Sequence, residues 1–151
     1  MNMPVHSSDS RTRQLVEAYG GLTRENLPAL LALYDGQARF KDPFNEVSGR
    51  MAIERIFTQM FDELRDPRFV VLVATSEGSN AFLTWELHFL RQGNGMPMTI
   101  RGATHLQYSL DGLVTLHRDY WDAAEELYAK LPLLGAVMRT LRRRLSTPQK
   151  T

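Results

Sequence analysis

Apolar residues recur at helical spacing from Arg11 to Leu64 and then alternate from Arg68 to Trp121. Leu15, Val16 and Tyr19 predict a first helix, which Gly20-Gly21 stops. A second helix places Leu27, Leu30, Leu31 and Tyr34 on one face, with Thr23 as its cap and Asp35-Gly36 as its end. Pro28 fits only a helix's first turn and argues for a later start. Ala38–Phe44 reads as extended, and Pro43 keeps Asp42 out of the α region. Asn45–Arg50 reads as a loop. Met51–Leu64 is the clearest helix, with Ile53, Ile56, Phe57, Met60, Phe61 and Leu64 on one stripe.

Past Asp66-Pro67 the period is two. It predicts strands at Arg68–Ser76, Ala81–Leu90, Met98–Ser109 and Leu113–Trp121. Each joint is a turn containing glycine (Gly78, Gly93 with Gly95, and Gly112), which is the pattern of an antiparallel meander. Helices followed by a meander make an α+β layer, with the helices on one sheet face. Asp122-Ala-Ala-Glu125 resembles a capping box that opens a helix.

Farther on, Leu134, Val137, Met138, Leu141 and Leu145 form one apolar stripe flanked by Arg139, Arg142, Arg143 and Arg144. The pattern predicts a basic amphipathic helix over residues 129–151. Burying five aliphatic side chains at roughly 1.5–3 kcal/mol each outweighs about 1 kcal/mol per arginine at an anionic surface. Docking on the protein itself is therefore the expectation, with membrane contact an accessory.

Composition narrows the classes. The chain of 151 residues, 43% hydrophobic and 23% charged, suits one globular domain. With no cysteine, disulfides, thiolate metal sites and cysteine nucleophiles are excluded. Residues 1–14 lack the apolar core of a signal peptide, and no apolar run reaches the roughly 20 residues of a membrane span. The expected location is the cytoplasm. Six of the 18 basic residues follow Glu126, so the preceding chain holds 12 against 17 acids, a net of −5. Nucleic acid is not an expected partner, and no metal or cofactor motif occurs.

The strand Leu113–Trp121 carries the candidate chemistry. Alternation sends Thr115, His117, Asp119 and Trp121 to one face and Val114, Leu116, Arg118 and Tyr120 to the other. His117 and Asp119 are expected roughly 7 Å apart along the strand, close enough for a water or ligand to bridge. They read either as an acid/base pair or as a polar network holding the Trp121 corner. Asp42 reads either as a general base in an apolar pocket or as a turn carboxylate bonding nearby amides. His88 and His105 are single strand histidines.

The order of elements, with Leu31-Ala-Leu-Tyr34, Phe40-Lys-Asp-Pro43 and Ser48-Gly-Arg50 opening the long helix, resembles the nuclear transport factor 2-like superfamily. That group includes ketosteroid isomerases and SnoaL-like cyclases, and the similarity covers about residues 11–128. It implies a cone-shaped curved antiparallel sheet against N-terminal helices, to which the apolar stripe of residues 129–151 adds a C-terminal helical extension. It also implies a pocket for a small apolar molecule and a homodimer through the sheet. Asp42 inherits the general-base position, with His117, Asp119 and Tyr19 as catalytic partners. Tyr34, Phe44, Phe57, Phe61, Thr104 and Trp121 would line the ligand. Thr104 stands where ketosteroid isomerases carry an oxyanion aspartate, so steroid isomerisation is not expected. The implied activity is cofactor-free proton transfer on a small carbonyl compound (isomerase, cyclase or lyase). The alternative is a non-catalytic ligand-binding or dimerisation module of the same fold.

Overall fold

A computed structural model describes residues 7–126 and Arg144. The predicted amphipathic helix of residues 129–151 lies outside the described residues. Among those described, α1 (Ser10–Gly20), α2 (Leu27–Leu31) and α3 (Arg50–Glu63) pack on a curled, unclosed six-stranded sheet. Its strands are β1 (Tyr34–Lys41), β2 (Glu46–Ser48), β3 (Arg65–Glu77), β4 (Asn80–Leu90), β5 (Pro97–Tyr108) and β6 (Val114–Tyr120). A short α4 (Ala123–Glu126) follows.

The sheet order is β2-β1-β6-β5-β4-β3. The meander β3 to β6 is antiparallel throughout. Strand β1 reaches β6 only after a long crossover, so it pairs in parallel, with Phe40 opposite His117 and Lys41 opposite Arg118. The carboxyl ends of β1 and β6 therefore emerge side by side, and the register carries residue 42 to the level of residue 119.

The inner sheet face and the helices bury Leu15, Leu30, Tyr34, Ile53, Phe57, Leu83, Trp85, Leu87, Ile100 and Leu106 in one core. Gly102 lies where a side chain could not, because a Cβ there would fall 2.5 Å from the Trp85 ring. Helix α1 is held by Asp9, which caps it and chelates Arg11 at 2.6 Å. Thr12 bonds Ser76 and Tyr108, tying the same helix to the sheet. That fixes Tyr19 at its far end.

Four local readings change. Tyr34 is not on a helix: the chain turns after Leu31, and Tyr34 begins β1 with its side chain fully buried. Asp35-Gly36 stops no helix; both lie within β1, where the pairing with β6 shifts register. The apolar run had simply continued at helical spacing into the strand. The segment read as the loop Asn45–Arg50 contains β2, which closes a hairpin with β1. Three residues are too few to show a period. Thr23 caps no helix but exchanges hydrogen bonds with Asn26, so α2 starts at Leu27 and Pro28 falls in its first turn.

Asp122 accepts from the Ala124 and Glu125 N–H groups and opens α4 as a cap. Glu126 accepts from the Arg101 N–H, at the stretch of β5 that β6 leaves unpaired. No helix among the described residues is long and apolar enough to cross a membrane.

Candidate functional site

In β6 the expected alternation holds only from Leu116 onward. Thr115 is a bulge residue between the Gln107–Leu116 and Tyr108–Val114 pairs. Val114 is thereby turned into the core rather than outward, while His117 and Asp119 still share the inner face. These two do not stand apart for a water to bridge. The imidazole lies along the strand, and His117 Nε2 meets Asp119 Oδ1 at 2.7 Å.

That contact is one link in a chain of hydrogen bonds. Trp85 Nε1–H donates to Thr104 Oγ1 at 2.7 Å, and the Thr104 hydroxyl donates to Asp119 Oδ1 at 2.6 Å. On the other side of the imidazole, Tyr34 Oη lies 2.7 Å from His117 Nδ1, and Tyr19 Oη bonds Tyr34 Oη. The indole can only donate, so it fixes the direction of the Thr104 hydroxyl. With Asp119 ionised, His117 carries its proton on Nε2 and receives the Tyr34 proton at Nδ1. Both ring nitrogens of His117 then have partners. Burial is the main cause raising both tyrosine hydroxyls above their ordinary range, so they remain neutral donors.

The chain ends at the surface. Asp119 Oδ1 accepts from two donors, whereas Oδ2 has no hydrogen bond among the described residues. Asp119 lines an open groove of about 500 Å³ with Lys41, Asp42, Pro43, Arg118, Tyr120, Trp121 and Asp122. The groove sits at the paired carboxyl ends of β1 and β6. Phe44 packs edge-on against Trp121 at 5.4 Å beside it.

Asp42 is heavily engaged. Its Oδ1 accepts from the Phe44 N–H at 2.8 Å, the Asn45 N–H at 2.6 Å and Asn45 Nδ2, and its Oδ2 also accepts from Asn45 Nδ2 at 3.0 Å. This is how a carboxylate holds a turn. Burial nevertheless raises its proton affinity above the ordinary carboxylate range. Asp119 adds to that rise, and the bonds from Asn45 and Phe44 oppose it.

The folded chain holds the Asp42 proton more tightly than an unfolded chain does at about 3.8. This contribution to stability is complete below that value and is lost as pH rises through the folded value. The melting-temperature advantage of wild type over Asp42→Asn is therefore expected to shrink from pH 3.5 to pH 7. A gap that widens over that range contradicts this assignment.

The remaining predicted residues divide. Phe57 is buried against Tyr19 and Phe40, within the packed interior. Phe61 lies 5.6 Å beneath the Arg24 guanidinium, outside the hydrogen-bonded chain and the groove. His88 bonds Glu86 and Thr99, while His105 bonds Asn80 and stacks on Phe82. Among the described residues, no three histidine or acidic side chains are grouped to hold a metal. Reading the sequence alone missed Lys41 and Arg118. Their neighbouring positions depend on the parallel β1–β6 pairing, which no local pattern announces.

A family model for the SnoaL-like domain matches residues 13–117. No curated protein sequence matches the chain. Solved structures share the fold. One is a protein with a ketosteroid isomerase-like fold from Catenulispora acidiphila, in complex with trimethylamine. It is 16% identical with a TM-score of 0.68, over 80% of this chain and 91% of that one. AclR, a proposed hydroxylase from Streptomyces galilaeus, is 19% identical with a TM-score of 0.65, over 82% and 96%. TerC, co-crystallised with polyporic acid, is 14% identical with a TM-score of 0.67, over 77% and 95%.

Proposed function

The chain belongs to the SnoaL-like domain family, and on that premise we propose that it binds a small, largely apolar carbonyl compound in the groove at the ends of β1 and β6, where it moves a proton. The base is Asp119. The observation that carries this reading is the asymmetry of its carboxylate, with Oδ1 held by Thr104 and His117 and Oδ2 without a hydrogen bond among the described residues, in a side chain that lines the groove. A proton on the carbon beside the carbonyl passes to Oδ2, and its bonding pair moves into the carbonyl oxygen to give an enolate. Return of the proton to that carbon, or to a conjugated one, regenerates Asp119. No external oxidant or reductant is needed. The ring of Trp121, with Phe44 behind it, offers an apolar wall for a planar substrate. The four hydrogen bonds on Asp42 argue for moving the base role from that residue to Asp119.

The experiment is exchange of the acidic C–H protons of 2-tetralone in D2O, followed by NMR. Exchange faster than in protein-free buffer supports the reading, and exchange at the buffer rate overturns it. The second reading, a non-catalytic module, is favoured by an interior largely filled by Tyr19, Phe40, Phe57 and Trp85. It predicts binding without exchange.

The homodimer through the sheet is likewise proposed, on the outer face. Phe82 and Tyr120 are about half exposed there, at 51% and 49%, beside a hollow of about 310 Å³. A two-fold axis running along the strands between β4 and β5 would set Phe82 of one copy over His105 of the other, and Glu86 over Arg101. Phe82→Glu is expected to shift the sedimentation coefficient from dimer to monomer. A wild-type monomer contradicts the proposal.

A further inference from the structure

Negative charge that develops on a substrate oxygen in the groove needs a donor there. The inner histidine and tyrosines cannot supply one. Both His117 nitrogens are engaged, by Asp119 and by Tyr34, and Tyr19 is spent on Tyr34 in the core. Among the described residues, the cations that line the groove are Lys41 and Arg118, cross-strand partners at the ends of β1 and β6. Lys41 lies 3.6 Å from the Glu46 carboxylate. Arg118 makes no ion pair among the described residues. Its guanidinium rests on the Tyr120 ring at 4.7 Å, two residues along the strand, which directs it toward the groove end of β6.

We propose that Arg118 is the oxyanion-binding residue of this groove, and that the ligand is an aromatic or enolisable compound whose oxygen becomes anionic there. The inference rests on the reading of Asp119 as base and completes it. Arg118 and Asp119 adjoin in sequence and both line the groove, one as cation and the other as proton acceptor. The C–H proton goes to Asp119 Oδ2, and the electron pair it leaves behind settles on an oxygen facing the guanidinium. A fixed, permanently charged fork suits that role better than a flexible ammonium already paired.

4-Nitrophenolate serves as the enolate mimic and neutral 4-nitroanisole as its control, with binding followed by quenching of Trp121 fluorescence in a Trp85→Phe background. Wild type is expected to bind the phenolate at least tenfold more tightly than the ether. Arg118→Gln is expected to lose that preference while binding the ether within twofold, and Arg118→Lys to recover part of it. In the exchange assay, Arg118→Gln should slow 2-tetralone exchange at saturation at least tenfold. If Arg118→Gln keeps the phenolate preference, or wild type shows none, the proposal is wrong. The two claims fail separately. Asp119→Asn should leave phenolate binding intact or tighter while stopping exchange. If it exchanges like wild type while Arg118→Gln loses the phenolate, the base assignment falls and the oxyanion site stands.

Discussion

Asp119→Asn is expected to lower 2-tetralone exchange by about 10²–10⁴-fold, the range a positioned general base contributes. The replacement is nearly isosteric, so the amide oxygen can still accept from Thr104 and His117 at the position of Oδ1. The change falls on the groove side, where an acceptor becomes an N–H2 donor that cannot take a proton. Weakening two charge-assisted bonds to neutral ones costs about 1–2 kcal/mol of stability, which leaves the protein folded. Asp42→Asn, by contrast, is expected to change exchange only a few-fold, because its oxygens are occupied by Phe44 and Asn45. The ranking of the two variants is the measurement that matters. Wild-type exchange in Asp119→Asn, or a larger loss in Asp42→Asn, would return the base role to Asp42.

That reassignment shows where the sequence was legible and where it was not. The long helix and the four-strand meander follow from hydrophobic period, since their apolar residues face one continuous core over many turns. The family resemblance carried the cone, and the single strand pairing His117 with Asp119 on one face could be read directly. What could not be read was everything that depends on distant pairing. Tyr19 and His117 are 98 positions apart, and Trp85 reaches Thr104 only across a strand pair. Arg118 was assigned to the opposite face by strict alternation. At the end of a strand, however, a long side chain stacked on Tyr120 can still reach the groove. Asp42 was ambiguous because an Asp-Pro pair specifies a bend, whereas the count of amides pointing at its carboxylate is a tertiary fact.

The largest stability effect is expected at His117→Leu, a loss of about 3–5 kcal/mol and roughly 10–15 °C in melting temperature. His117 is 3% exposed and fills space between Phe40, stacked at 4.6 Å, and Tyr34. Leucine restores much of the volume but neither nitrogen. The Tyr34 and Tyr19 hydroxyls can then share one hydrogen bond, which leaves one proton in the core without an acceptor. Asp119 also loses a donor in a largely buried position, at 17% side-chain exposure. The diagnosis is open to a direct check, because removing both hydroxyls should relieve the defect. Replacing Tyr19 and Tyr34 together by Phe is expected to cost about 1–2 kcal/mol in wild type, where it strips His117 of its donor, and close to nothing in the His117→Leu background. A mutant cycle read from denaturant midpoints, with the tyrosine pair as one arm, measures the difference as a coupling of about 1–2 kcal/mol. Strict additivity would mean that these side chains merely occupy space, and that the hydrogen-bonded chain from Tyr19 to Asp119 contributes little to holding the groove in shape.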